Sequence, residues 1–287
     1  MNYLIPSTFD EAAKLAANAE GPLRFLAGGT DVLVQMRLGG LTPNLLIDLK
    51  SIPGVYDIAR TADGSWHVGV AVPGAVLNEH ETLKADWPGL VEAVDLIGST
   101  QVQGRATMVG NLMNASPAAD AVPAMIAAGV EVDILGPSGS RRARVEDIPT
   151  GPGRTSLARG EVITAVHIPP RGAQGGDAYQ RFIPRTEMDI AVVGCAVSLR
   201  RDGDVITEAR VALGAVAPTA ILMAEAADAL VGSTLDEAAL GALADAATAA
   251  CNPIDDKRGT VKFRRHVAGV IARRVARIAY TRAGENA

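Results

Sequence analysis

At 287 residues and 48% hydrophobic content, the chain is long enough to bury a substantial core, and its length suggests about two domains. A formal net charge of −5, with the basic residues scattered, excludes a general affinity for nucleic acid or anionic membrane, which needs a local excess of Lys and Arg. The opening "MNYLIPSTFDEAAK" has no charged leader before a long apolar stretch, and no run approaches the roughly 18 apolar residues of a membrane span, so a cytoplasmic protein is expected.

In chain order, "STFDEAAKLAANAEGP" reads as a helix, with Thr8 and Glu11 at capping-box spacing and Gly21-Pro22 as its stop. "LRFLA" follows as a short strand, "GGTD" as a turn, "LLIDLK" (45–50) as a strand and "SWHVGVAV" (65–72) as another. "PGLVEAVDLIG" (88–98) sets Leu90, Val91, Val94 and Ile97 at helical period. "VPAMIAAGV", "EVDILG" and "PSGSRR" then read as helix, strand and turn.

Near residue 170 the texture changes. "IPPRGAQGGDAY" is rich in Pro and Gly and reads as a boundary loop, dividing the chain into units 1–172 and 173–287. "MDIAVVGCAVSLR" and "VITEARVALGAV" are β-rich runs joined by "RDGD", whose Asp202-Gly203 pair signals a hairpin. Helices are expected at 219–231, at 235–250 with Thr234 and Glu237 as a capping box, and at 260–282.

Cys195 and Cys251 sit in apolar or alanine-rich runs and form no CxxC pair, so both read as small core residues. An iron-sulfur cluster needs about four thiolates, which this chain lacks. His67, His80, His167 and His266 form no HxH or HExxH pattern, and no metal site is expected.

Two glycine-bearing segments carry chemistry. In "LAGGTDVL", Gly28 and Gly29 follow a strand, where glycine permits positive φ and lets a ligand approach main-chain amides without a Cβ in the way. Thr30 adds a hydroxyl, and Asp31 is placed to cap a following helix through its carboxylate. Taken alone, a Gly-Gly pair reads first as a turn that needs glycine. "ATMVGNLMNASPAAD" adds Thr107, Gly110, Asn111, Ser116 and Asp120, short hydrogen-bonding groups in an otherwise apolar or small stretch. Two such loops together fit a diphosphate held from two sides. Competing motifs fit poorly: GxGxxG, GxxxxGK[ST] and GxSxG are all absent, and "GPGRTSL" (151–157) reads as a flexible turn.

"LAGGTDVLVQMR", "TMVGNLMNASPAADAVPAM", "GPGRTSLARGEVIT", "RFIPRTEMDIAVVG" and "DDKRGTVKFRRHVAGVIARR", in this order from end to end, resemble the FAD-binding medium subunit of the molybdenum hydroxylase family. The resemblance implies an α+β chain. Residues 1–172 would form a two-subdomain FAD-binding domain of the vanillyl-alcohol-oxidase (PCMH) type, and 173–287 a C-terminal flavoprotein domain of antiparallel sheet plus helices. It implies that Ala27, Gly28, Gly29, Thr30 and Asp31, with Val32 and Leu33 behind them, form the first diphosphate motif. Thr107, Met108, Val109, Gly110 and Asn111 form the second, commonly TIGGN in the family; here Val109 replaces its first glycine. Ser116 lies in the same segment, and Asp120 matches an acidic residue that contacts the sugar-like part of FAD. Leu157 and Arg181 fall at flavin-proximal positions, and Ile190 where some relatives place a residue against the isoalloxazine ring. On the residues alone, Arg181 is equally a surface arginine packed along the sheet, and Leu157 and Ile190 plain core.

The flavin carries the electron chemistry itself, so no catalytic acid, base or nucleophile is expected in this chain. The resemblance further implies partners: a large molybdenum-cofactor subunit and a small subunit with two [2Fe-2S] clusters, in a heterotrimer doubled by symmetry. The alternatives are a self-sufficient FAD oxidase, for which the second unit is small and no covalent attachment residue is evident, and a flavin-free assembly factor.

Overall fold

Thr8 and Glu11 start the first helix, α1 (Phe9–Asn18): Thr8 Oγ1 accepts from the Glu11 amide at 3.1 Å, and the Glu11 carboxylate accepts from the Ser7 amide at 2.7 Å. In the computed structural model, which describes residues 1–286, α1 links β1 (Asn2–Leu4) to β2 (Leu23–Leu26). A short helix, α2 (Val32–Arg37), leads from β2 to β3 (Leu45–Asp48), which lies between β1 and β2 in a three-stranded parallel sheet. All four β3 residues are buried, as befits the central strand of a parallel sheet.

A second sheet follows, with strands β4 (Ile58–Arg60) and β5 (Trp66–Gly69). The chain then passes through α3 (Gly74–Glu79), α4 (Glu81–Asp86), α5 (Pro88–Asp95), α6 (Thr100–Gln103), α7 (Met108–Met113) and α8 (Ala121–Ala127) before returning as β6 (Glu131–Gly136) and β7 (Gly139–Arg144). After a small hairpin, β8 (Pro149–Gly151) with β9 (Arg154–Thr155), strand β10 (Val162–Ile168) enters the middle of this antiparallel sheet, ordered β4-β5-β10-β6-β7. Every residue of α8 is buried, so it forms the centre of the first core. The "PSGSRR" segment, expected as a turn, is a turn only at 137–138; the rest is β7. That strand is a polar edge held by Arg141–Glu161 and Arg142–Asp133 ion pairs, so it carries no apolar alternation to read.

The second unit is a four-stranded antiparallel sheet in chain order, β11 (Gly175–Phe182), β12 (Val193–Asp202), β13 (Val205–Gly214) and β14 (Ile221–Leu222). The hairpin expected at Asp202-Gly203 is present, with Asp202 opposite Val205 and Gly203 at φ +56°. The expected boundary loop is shorter than its composition suggests, because Gly175 and Gly176 already belong to β11. Gly176 lies directly beneath the last helix, where a Cβ would sit 2.2 Å from the Ala279 carbonyl oxygen.

Helices α9 (Ala224–Asp228), α10 (Glu237–Ala250) and α11 (Val261–Glu285) complete the chain. The helix expected at 219–231 shrinks to α9, since Ile221 and Leu222 pair with β13. Helix α10 is capped by Asp236, whose carboxylate accepts from the Ala239 amide at 2.8 Å, and not by Thr234; Leu235, at φ +59°, interrupts the helical path between them. The buried stripe Ala268, Gly269, Ala272, Ala276, Ala279 and Ala283 lets α11 settle closely on the sheet. Cys195 and Cys251 lie unpaired in this second core. Helices set against mainly antiparallel sheets give the α+β arrangement that was expected.

A glycine-lined cleft as candidate cofactor site

Strand β2 ends at Leu26, and residues 27–31 turn the chain into α2. The two glycines of this turn are required for different reasons. Gly29 stands at φ +81°, a conformation costly for any other residue. Gly28 has no positive φ; a Cβ there would lie 2.0 Å from the Arg105 carbonyl oxygen, so it is glycine because the neighbouring chain crosses against it. Asp31 occupies the N-cap position of α2, but its side chain makes no capping bond, contrary to expectation. It faces the cleft instead, where desolvation raises its carboxyl above the ordinary range.

Opposite this turn, Thr107 caps α7, its hydroxyl accepting from the Gly110 amide at 2.9 Å. Asn111 spends its carbonyl oxygen on the Ala121 amide at 3.0 Å and so ties α7 to α8. Val109, the departure from a glycine pair, is buried, its side chain absorbed into the first core while it still contributes to the cleft wall. The third wall is the β8–β9 hairpin with Gly153, Thr155 and Leu157. Phe25, Leu49, Val70, Ile97 and Ile163 make an apolar lining, and Arg24 and Glu161 a polar rim. The enclosed volume is about 430 Å³.

The donor set of this cleft suits an anion flanked by flat apolar groups. Among the described residues no acceptor meets the amides of Gly28, Gly29, Thr30, Asp31 and Val32, and those of Met108 and Val109 opposite are equally free. Buried or half-buried amides normally find a partner, so a concentration of unspent donors around one cleft fits a diphosphate, and the apolar lining fits aromatic rings. The residues present therefore fit a flavin dinucleotide.

Residues 1–171 match the family model for the FAD binding domain in molybdopterin dehydrogenase, and residues 178–279 that for the CO dehydrogenase flavoprotein C-terminal domain. The chain belongs to the FAD-binding medium subunits of the molybdenum hydroxylases. It is 32% identical to the carbon monoxide dehydrogenase medium chain of Hydrogenophaga pseudoflava over 98% of this chain and 97% of that one. Identity to the putative xanthine dehydrogenase FAD-binding subunit of Escherichia coli is 29%, over 99% and 97%. Among solved structures, carbon monoxide dehydrogenase from H. pseudoflava lacking the Mo-pyranopterin moiety superposes with a TM-score of 0.94 over 98% of both chains at 32% identity. Quinoline 2-oxidoreductase from Pseudomonas putida 86 gives 0.90 at 28% identity, over 99% of this chain and 98% of that one. The chain is thus a subunit of an oxidoreductase, with FAD as its cofactor.

In this medium subunit the cleft gathers Ala27 to Val32, Thr107, Val109, Gly110, Asn111 and Leu157 of the sequence-predicted set. It does not gather the rest. Leu33 is on the exposed side of α2, Met108 is buried behind α7, and Ser116 accepts from the Ala118 amide within its own turn. Asp120 is buried at the junction of the two units, accepting from Arg181 Nη1 at 2.6 Å and from the Tyr179 hydroxyl at 3.0 Å. Burial raises its carboxyl to about 6 against the opposing pull of the Arg181 charge. Ile190 is exposed in the 183–192 loop, which touches the first unit through the Met188 amide and the Gly98 carbonyl at 3.3 Å.

The same junction holds Asp177, whose carboxylate accepts from the Leu90 amide at 2.9 Å; burial raises it to about 7 while that amide, Arg171 and Arg282 pull it down. Arg282 reaches from α11 to Glu92, and Arg210 from β13 to the Ile126 carbonyl at 2.8 Å and Glu146 at 3.0 Å. Sequence reading missed Arg24, Gln35, Asn114, Gly153, Thr155 and Glu161 as cleft residues. Gly153 carried a signal, the glycine of "GPGRTSL", which forms a hairpin against the cleft and not a free turn; the others carried none.

Proposed function

We propose that this chain is the flavin subunit of a three-subunit molybdenum hydroxylase. In this reading it takes electrons from [2Fe-2S] clusters on a small partner chain and delivers them to an external acceptor, while substrate is oxidised at a molybdenum cofactor on a large chain. Residues 1–172 form the FAD-binding domain and residues 173–287 the C-terminal flavoprotein domain. The observation that carries the reading is the run of free amides from Gly28 to Val32 lining one cleft with Thr107, Val109 and Gly110 of the second glycine segment.

When bound, FAD supplies reversible electron transfer in single or paired steps, and the protein's share is to hold and orient it. The free amides hold the diphosphate, Thr107 keeps its side of the cradle in place, and the apolar wall with Leu157 excludes water from the ring. Asp120, Arg181 and Ile190, which lie outside the cleft lining, are further cofactor contacts in this proposal, and the Asp120–Arg181 pair also joins the units. The assembly is a dimer of heterotrimers in the cytoplasm, and no described helix is long and apolar enough to cross a membrane.

Acid precipitation of the purified chain is expected to release one FAD per chain, with none retained in the pellet. In the assembled complex, a Thr155→Trp change that fills the cleft is expected to leave substrate able to bleach the cluster absorbance while turnover with the acceptor stops. An isolated chain that oxidises an aldehyde, carbon monoxide or a heteroaromatic compound unaided would overturn the reading.

A further inference from the structure

Helix α2 buries none of its residues, and Leu33, Val34 and Leu38 all point to solvent. It nevertheless follows directly on the turn whose amides line the cleft, so its position decides where those amides point. One side-chain bond crosses from it to the opposite wall: Gln35 Nε2 donates to Asn114 Oδ1 at 2.8 Å, between residues 79 apart in the chain that both line the cleft.

Asn114 is itself firmly placed. It ends α7, its amide donating to the Gly110 carbonyl at 3.0 Å, and the next residue, Ala115, is buried at φ +47° with its amide on the Leu112 carbonyl. The Ala115 carbonyl then accepts from the Gly153 amide at 3.0 Å, which fixes the β8–β9 hairpin. Gln35, Asn114, Ala115 and Gly153 therefore tie the three walls of the cleft in series. Two of these walls are anchored in the core, and α2 is not.

We propose that Gln35 and Asn114 are positioning residues, a clasp that holds α2 closed over the cleft and sets how long FAD stays bound. The proposal rests on the placement of FAD in this cleft. A segment without buried side chains opens at low free-energy cost, so losing its one cross-cleft bond releases the wall without unfolding the domain. Release of the cofactor accelerates, and its entry is not slowed.

The test is the rate of FAD association and dissociation in the full-length chain, followed by flavin fluorescence. Gln35→Met keeps the volume of the side chain and removes the donor; Asn114→Ala removes the acceptor. Each is expected to raise the dissociation rate about tenfold with no slowing of association and at full stoichiometry, a factor in keeping with the worth of one hydrogen bond. The double variant is expected to dissociate no faster than the faster single one, because both changes break the same bond. Unchanged dissociation in Gln35→Met, additive effects in the double variant, or a lowered stoichiometry with unchanged rates would each overturn the clasp. Thr155→Trp separates this from the placement of the cofactor. If it blocks binding while Gln35→Met does nothing, the placement stands and the clasp fails; if it binds FAD with unchanged affinity, placement and clasp fail together.

Discussion

Across the cleft, the amides of Gly28 to Val32 have no acceptor among the described residues. At the junction of the two units, Asp120 is met by both Arg181 and Tyr179, Asp177 by the Leu90 amide, and Arg282 by Glu92. The difference lies in where hydrogen-bonding capacity is spent. At the junction most of it is spent within the protein, leaving Asp177 Oδ1, Arg181 Nε and two Arg171 nitrogens without a hydrogen-bond partner, because a buried charge with no partner at all costs several kcal/mol. In the cleft it is left for a ligand. Carboxyls that titrate far from their ordinary range are often taken as pointers to functional sites, yet here those pushed furthest upward belong to the joint, with Asp177 at about 7 and Asp120 at about 6.

The sharpest way to break this contrast is Arg181→Ala. It leaves the Asp120 carboxylate buried with only the Tyr179 hydroxyl, and a stability loss of about 3–5 kcal/mol is expected in urea unfolding of the flavin-free chain. A loss below about 1 kcal/mol would mean that the junction is solvated and that its charges are not structural.

The pH dependence comes next. Asp177 and Asp120 are raised, so the unfolded chain gives up these protons near the ordinary carboxyl value, while the folded chain keeps them up to about 7 and about 6. Their stabilising contribution is fully present below about pH 4 and is lost as pH rises through about 6 and about 7. A tenfold change in the proton affinity of a carboxyl corresponds to about 1.4 kcal/mol, so the two together reach a few kcal/mol. Carboxyls held low, such as Asp63 at about 2 and Asp189 beside Arg258, act in the opposite sense at lower pH. Asp177→Asn mimics the protonated form, and the difference between its unfolding midpoint and that of the parent chain should grow between about pH 4 and about pH 7. Arg171, Arg282 and Glu92 face Asp177 in both proteins and cancel in the difference.

The glycine turn gives a smaller effect. Both Gly28→Ala and Gly29→Ala meet the protein before they meet any ligand: the first presses on the Arg105 carbonyl oxygen, the second forces a side chain into φ +81° and onto Leu26. About 2–3 kcal/mol is expected for Gly28→Ala and about 1–2 kcal/mol for Gly29→Ala, in apoprotein unfolding. A loss visible only with FAD present would show that these glycines serve the ligand alone.

Elements with their own local signal were legible in the sequence: the α1 capping box, the Asp202-Gly203 hairpin, the helical period of α5 and the two glycine motifs. What was hidden depends on long-range partners. The β7 strand has no alternation because it is a charged edge, and Asp236 displaced Thr234 as a cap because of a backbone reversal at Leu235. Gly28 was legible as important but not for its reason, since the Arg105 carbonyl that excludes a side chain lies far along the chain. Gln35 and Asn114 had no signal at all, being ordinary polar residues whose meaning is their meeting.

The mildest test concerns the cleft alone. Thr107 is almost fully buried, and its hydroxyl takes the Gly110 amide, which holds the start of α7 and its cleft-lining Val109 in place. Thr107→Ala removes this cap and should cost about 1 kcal/mol in apoprotein stability, as losses of N-caps do. Thr107→Ser keeps the hydroxyl and should restore nearly all of it. If the cleft reserves its donors for a diphosphate, flavin affinity should fall beyond the stability loss in the alanine variant, because the freed Gly110 amide lets the neighbouring amides drift from the ligand. Titration of apoprotein with FAD, read against the urea midpoint of each variant, makes the comparison. Equal losses in both measurements would reduce Thr107 to an ordinary helix cap, and the second wall of the cleft would then owe its order to the Asn111–Ala121 bond and not to its own N-terminus.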